Sequence, residues 1–225
     1  YPLLCLKKEV TYLTDSAPTL AANAILTRNF ECEPLVVDML SRNLDLPSRG
    51  APAGVPTNKR AMFSFEVELA GSGAAGTAAA WMNVNEGVGM AAAAVTAATK
   101  AEQKMAAINT ALASLSAYYW LGNLQYKALG SRGDLTGIDF TAGAYPFMSY
   151  SFMGIPPVAA PFTDNVPGAP ALAAWKDPLE VNTANTAATL DGFAVVMRSF
   201  KAQANVDLKP RNLVGANYIN RGNHA

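Results

Sequence analysis

Residues Arg60 to Thr77 constrain this 225-residue chain more than any other stretch. Phe63, Phe65, Val67 and Leu69 alternate with Ser64, Glu66 and Glu68, which puts an apolar row on one face and a polar, acidic row on the other. The alternation predicts a half-buried strand, with Phe63, Phe65, Val67 and Leu69 as its core side. It runs directly into Gly71-Ser-Gly-Ala-Ala-Gly76, which matches the G-x-G-x-x-G dinucleotide fingerprint, and then into an alanine-rich segment that could open a helix. An NAD-binding enzyme of Rossmann type is therefore one reading. The strand opposes it, because the first strand of such a unit is covered on both faces and reads as an unbroken apolar run. Glu66 and Glu68 would be buried there at a cost of several kcal/mol, with no partner nearby in sequence. The acidic residue that should hold the ribose roughly twenty positions on is also missing, since Glu86 falls too early and Glu102 too late.

The run Phe65-Glu-Val-Glu-Leu-Ala-Gly-Ser-Gly-Ala-Ala-Gly-Thr77, with Trp81 shortly after, resembles the signature stretch of the major tail tube proteins of long-tailed (siphovirus-type) bacteriophages. Other segments resemble that family in the same order: Glu9 to Pro18, Ala22 to Arg28, Asp134 to Gly154, Val181 to Thr186 and Asn212 to Gly215. The resemblance spans nearly the whole chain. It implies a mainly β fold, an antiparallel β-sandwich or barrel of tail-tube type with long loops and one short α-helix from about Thr77 to Gly87. It also implies a structural subunit, not an enzyme. Such subunits form a homo-oligomer of hexameric rings, stacked into a tube through which double-stranded DNA passes transiently into the host without specific binding. Other phage tail proteins would be partners. The location would be the virion, after assembly in the host cytoplasm. Another β-rich phage or contractile-particle subunit is the competing assembly reading. Because members of the family usually run on beyond the length of this chain, a C-terminal portion is expected to be absent.

Charge fits assembly better than nucleic-acid recognition. Lys+Arg and Asp+Glu balance at 17 each, so there is no basic field. Cys5 and Cys32 are too few for a disulfide scaffold and read as small core residues. No run is long and apolar enough to span a membrane, and Lys7-Lys8 follow the first apolar residues, opposite to the order in a signal peptide. His224 is the sole histidine, too few for a histidine-based catalytic or metal site. No catalytic residue, cofactor or metal is therefore expected. Asp134, Asp139, Asp164, Asp177 and Asp191 read as turn aspartates.

Along the chain, 1–225 reads as one tail-tube-type domain. Leu3 to Tyr12 and Ala24 to Leu35 predict strands, the second ended or made an edge by Pro34. Residues 44–58 carry Pro47, Pro52 and Pro56 with Gly50 and Gly54, which predicts a long loop. Loops of that length are uncommon unless functional, so Pro47, Arg49, Pro52, Pro56 and Lys59 are candidates for an inter-subunit arm, with a plain surface loop as the alternative. Residues 100–116 stay open between helix and hairpin. Two hairpins follow, 116–129 turning at Gly122-Asn123 and 134–153 turning at Thr141 to Ala144. Residues 158–178 predict an irregular connection pinned by Trp175, and 189–204 and 212–220 predict further strands. For a DNA conduit, Glu66 and Glu68 are candidate lumen-facing residues; the alternative places them on the tube's outside or pairs them across subunits.

Overall fold

A computed structural model of the chain describes residues 2–42, 53–107, 110–214 and 216–221. The strands are β1 (Leu3–Lys8), β2 (Ala24–Ile25), β3 (Arg28–Leu40), β4 (Val55–Glu68), β5 (Ala94–Thr96), β6 (Lys100–Glu102), β7 (Leu115–Leu121), β8 (Leu124–Thr141) and β9 (Phe147–Ile155). Six shorter ones follow: β10 (Phe162–Asp164), β11 (Thr189–Leu190), β12 (Phe193–Ala194), β13 (Ser199–Ala202), β14 (Leu208–Leu213) and β15 (Ala216–Arg221). Two short helices, α1 (Leu20–Asn23) and α2 (Met82–Glu86), complete the set. The fold is mainly β and antiparallel, as the alternation predicts. Among the described residues it has two helices where one is expected.

The principal sheet runs β2-β1-β7-β8-β9-β4-β3, with β10 and β13 also paired to β8. The two expected hairpins share a strand: β8 pairs with β7 through its first half and with β9 through its second. At the changeover the register slips and Gly130 takes φ +59, so β8 bends there and folds the sheet upon itself. Tyr119 of β7 consequently meets Phe63 of β4 at 5.8 Å and Phe30 of β3 at 5.9 Å between ring centroids. The result is an open sandwich, since the path ends at β2 and β3.

Register explains the core. Phe63, Phe65 and Val67 lie opposite Phe152, Tyr150 and Met148, and all six are buried. Phe63 stacks on Phe152 at 5.4 Å and Phe65 on Tyr150 at the same separation. Gly133 faces Phe152 from the other side, and a Cβ there would lie 2.7 Å from the ring. Helix α2 covers this layer with Val84, followed by Val88 just beyond its end. The Gly133 N–H donates to the Gly87 carbonyl at 2.9 Å, which fastens helix to sheet. Beneath it, Tyr150 OH donates to Asn85 Oδ1 at 2.6 Å, and Asn85 Nδ2 donates to Gln103 Oε1 at 3.0 Å.

Several boundaries differ from expectation. α2 occupies Met82–Glu86 rather than 77–87, because alanine propensity without a long apolar stripe to bury does not offset helix nucleation. Within 100–116, Lys100–Glu102 form the second strand of a small hairpin and Leu115 opens β7. β3 continues through Pro34 to Leu40, which an edge strand tolerates. Of 212–220, residues 212–213 end β14 and 216–220 lie in β15, and 189–204 holds three short strands. Asp134 and Asp139 lie within β8, not in turns.

Candidate assembly surface

The glycine run is closed to a phosphate. Gly76 takes φ +70, and a Cβ on it would lie 2.3 Å from the Ala98 backbone nitrogen and 2.7 Å from the Thr96 carbonyl, in the β5–β6 hairpin. That hairpin occupies the space where a pyrophosphate would approach the third glycine. The run also does not open into a long helix, since α2 begins six residues later and has five residues. Instead Trp81 Nε1 donates to the Ala70 carbonyl at 2.8 Å and ties the end of the turn to its start. Antiparallel pairing of β4 on both sides is likewise foreign to a Rossmann first strand.

β4 presents Phe63, Phe65 and Val67 inward, and Leu69, one residue past its end, packs against the same core while half-buried. Its other face carries Ser64, Glu66 and Glu68, opposite Ser151, Ser149 and Phe147 of β9. Glu66 accepts hydrogen bonds from Arg28 Nε at 2.7 Å and Asn29 Nδ2 at 2.9 Å. The Arg28 guanidinium also lies 4.3 Å from the centroid of the Phe147 ring. The partner that the neighbouring sequence lacks therefore comes from β3. Glu68, half-buried, stands at the end of this row.

Beyond the sheet, β3 and β4 continue as a two-stranded arm. β4 pairs with β9 from Ala61 to Glu68, while Val55, Pro56, Thr57 and Arg60 pair with β3 alone. Pro56 and Lys59, expected in a loop, thus lie on a strand: Pro56 sits opposite Met39, and with β4's other side unpaired there its missing N–H is tolerated. Pro47, Arg49 and Pro52 lie outside the described residues. Asp38 holds the arm together: it accepts from Asn58 Nδ2 at 2.9 Å and Arg60 Nη1 at 3.2 Å, and these bonds keep its carboxyl below the usual carboxylate range. Leu35, Met39, Leu40 and Val55 are all exposed on it, at 58, 64, 60 and 43%.

Two polar centres, one buried and one half-buried, escape the sequence. The Glu9 carboxylate accepts from Ser114 Oγ at 2.6 Å, Gly130 N at 2.7 Å, Ser116 Oγ at 2.9 Å and Leu13 N at 3.0 Å, and so locks the corner of β8. Three of those donors are more than 100 positions away, beyond the reach of any local pattern. Arg132 donates to the Ile219 carbonyl at 2.9 Å and stands 4.9 Å from the Tyr12 ring, itself stacked on Tyr218 at 4.4 Å. These contacts clamp the β14–β15 hairpin to the body. Trp175, expected as a pin, donates to the Ala24 carbonyl at 3.1 Å. Among the described residues no group of three or more His, Cys, Asp or Glu side chains could hold a metal ion, and no helix is long and apolar enough to cross a membrane.

Neither a known protein family nor a curated protein sequence matches the chain. Among solved structures it is similar to the anti-feeding prophage cap, which terminates that particle's tube, at 9% identity and a TM-score of 0.37, over 72% of this chain and 85% of that one. A likeness this distant has no bearing on function.

Proposed function

We propose that this chain is a structural subunit of a phage or phage-like particle, and within it the tail tube protein: copies form hexameric rings that stack into a hollow conduit for DNA. The observation that carries this reading is the arm. A two-stranded ribbon standing clear of its sheet is marginal in water, and this one adds four exposed apolar side chains. Such a ribbon is stabilised by burial against another molecule, and a homo-oligomer supplies one. The ordered resemblance of six sequence segments to tail tube proteins supports the same reading.

The polar face of β4 and β9 suits the conduit wall. Its serine rows and Glu68 offer a phosphate no cation, and Arg28 is engaged by Glu66, so DNA in contact with this face would release few counterions and slide. On this reading Glu66 and Glu68 face the lumen, and other tail proteins meet the ends of the tube. The test is sedimentation velocity of wild-type and Met39→Asp protein over a concentration series. Wild type should shift to fast-sedimenting species as concentration rises while the variant stays slow. Wild type that remains monomeric at every concentration refutes the proposal.

A further inference from the structure

Asp134 of β8 is 6% exposed, and its Oδ1 is buried without a hydrogen-bond partner. Among the described residues the carboxylate makes no hydrogen bond and no ion pair. Glu9, the other buried acid among them, accepts four hydrogen bonds. A carboxylate left buried and unpaired is strongly unfavourable, so its position marks a place for a counter-ion. Arg221 attracts it but does not pair with it. The Arg221 guanidinium lies against Gly89, where no Cβ would fit beside Nη1, and its Nε is also without a partner.

Asp134 lines a cavity of about 220 Å³ between the sheet and residues 206–208. Register builds the floor. Asp134 lies opposite Ser151 and Met62 opposite Met153, and Ser151 and Met153 share a face as alternate residues of β9. Thr136 adds a second hydroxyl, and neither hydroxyl has a hydrogen-bond partner among the described residues. Val206 and Leu208 form the roof. It is fixed on both sides: the Ala204 N–H donates to the Leu135 carbonyl at 3.1 Å, and Leu208 pairs with Arg221 of β15, whose Ile219 carbonyl accepts from Arg132 at 2.9 Å.

The lining decides what the cavity can hold. A hard metal ion takes about six or more oxygen ligands, and here the oxygens of Asp134, Thr136 and Ser151 face Met62, Met153, Val206 and Leu208. One positive charge on an aliphatic stem suits both halves. An ammonium head has three hydrogens to donate, to the carboxylate and the two hydroxyls, while its methylenes lie along the thioethers and the branched side chains. Pockets for drug-sized ligands run to about 300–1,000 Å³, so the occupant is smaller than those. We propose that this cavity binds a primary alkylammonium, with Asp134 as its counter-ion and Thr136 and Ser151 as further acceptors. A free amine and a lysine side chain of another polypeptide share that chemistry. The site is independent of the assembly reading and stands or falls separately.

The test is isothermal titration calorimetry of the full chain with n-butylammonium chloride, with butan-1-ol as the uncharged match and sodium chloride as the bare-cation control. Butylammonium should give a saturable one-to-one isotherm at millimolar concentration, and neither control should. Asp134→Asn, which keeps the shape of the side chain and removes its charge, should weaken binding about tenfold or more. Val206→Trp, on the half-buried roof, should abolish binding by filling the cavity. Nα-acetyl-lysine amide separates the two sources: binding like that of butylammonium admits a lysine side chain, and its exclusion assigns a free amine. No isotherm with butylammonium overturns the site, as does binding shared by butanol or unchanged in Asp134→Asn. Saturation by sodium alone would make this a metal site and overturn the proposal as well. If either variant fails to fold, the wild-type comparison of amine, alcohol and sodium decides alone.

Discussion

Replacing Glu9 by glutamine puts an amide nitrogen in place of one carboxylate oxygen, in a pocket where all four neighbours donate. Each oxygen accepts from one backbone N–H and one serine hydroxyl: Oε1 from Gly130 and Ser116, Oε2 from Leu13 and Ser114. A hydroxyl can rotate to accept from the new amide, but a backbone N–H cannot, so one buried donor is stranded and the other bonds lose their charge assistance. A stranded buried donor costs about 1–3 kcal/mol and a bond to a charged group contributes about 1.5–3 kcal/mol, so the variant should lose about 3 kcal/mol. For a chain of this size that lowers Tm by about 6–12 °C. Thermal unfolding of dilute, unassembled protein followed by circular dichroism measures it. Glu102→Gln, which removes an exposed ion pair with Lys100, is the control and should cost less than about 1 kcal/mol. A Glu9→Gln midpoint within about 2 °C of wild type would refute the claim that this carboxylate locks the corner of β8.

Phe65→Asp should leave the protein insoluble or unfolded on expression, since the side chain is buried against Tyr150 and Phe152, whereas Glu66→Gln should fold normally; soluble Phe65→Asp protein would show the faces of β4 reversed. Gly133→Ala should cost about 1–3 kcal/mol in urea denaturation, because the added methyl meets the Phe152 ring; unchanged stability would mean that the ring moves freely. Burial pushes the Cys5 thiol from 9.0 up to about 12 and holds the Tyr119 and Tyr150 hydroxyls well above 10.0. The folded state therefore keeps protons that the unfolded chain releases, so stability is intact below pH 9.0 and falls as pH rises towards about 12. A urea midpoint that stays constant over this range would contradict the burial. Tubes carrying Glu66→Lys and Glu68→Lys should assemble but release DNA slowly at low salt, recovering as salt rises, since the change adds two cations and frees Arg28; normal release at low salt would exclude both residues from the lumen.

Period-two alternation made the core legible, because a strand with one buried face must declare it residue by residue: Phe63, Phe65 and Val67 on β4, and Met148, Tyr150 and Phe152 on β9. Turn chemistry was equally local, and Gly122 turns with φ +65 where the two-residue signal stood. What the sequence hid is non-local. The sharing of β8 between two hairpins depends on a bend at Gly130, and that bend depends on Glu9, 121 positions away. The Arg28–Glu66 pair was invisible for the same reason, its partners being 38 positions apart on neighbouring strands. Pro56 alone misled at the end of 44–58, since it reads as a strand breaker wherever both sides of a strand must pair, and here one side does not. The alanine-rich segment misled in the opposite direction, because propensity without an apolar stripe yields a single short helix.

Electron microscopy of the wild-type protein at high concentration tests the central claim most directly. The account predicts hollow tubes of stacked rings, with six-fold symmetry in end-on views. Monodisperse particles of single-chain size, with no rings or tubes at any concentration, would contradict it.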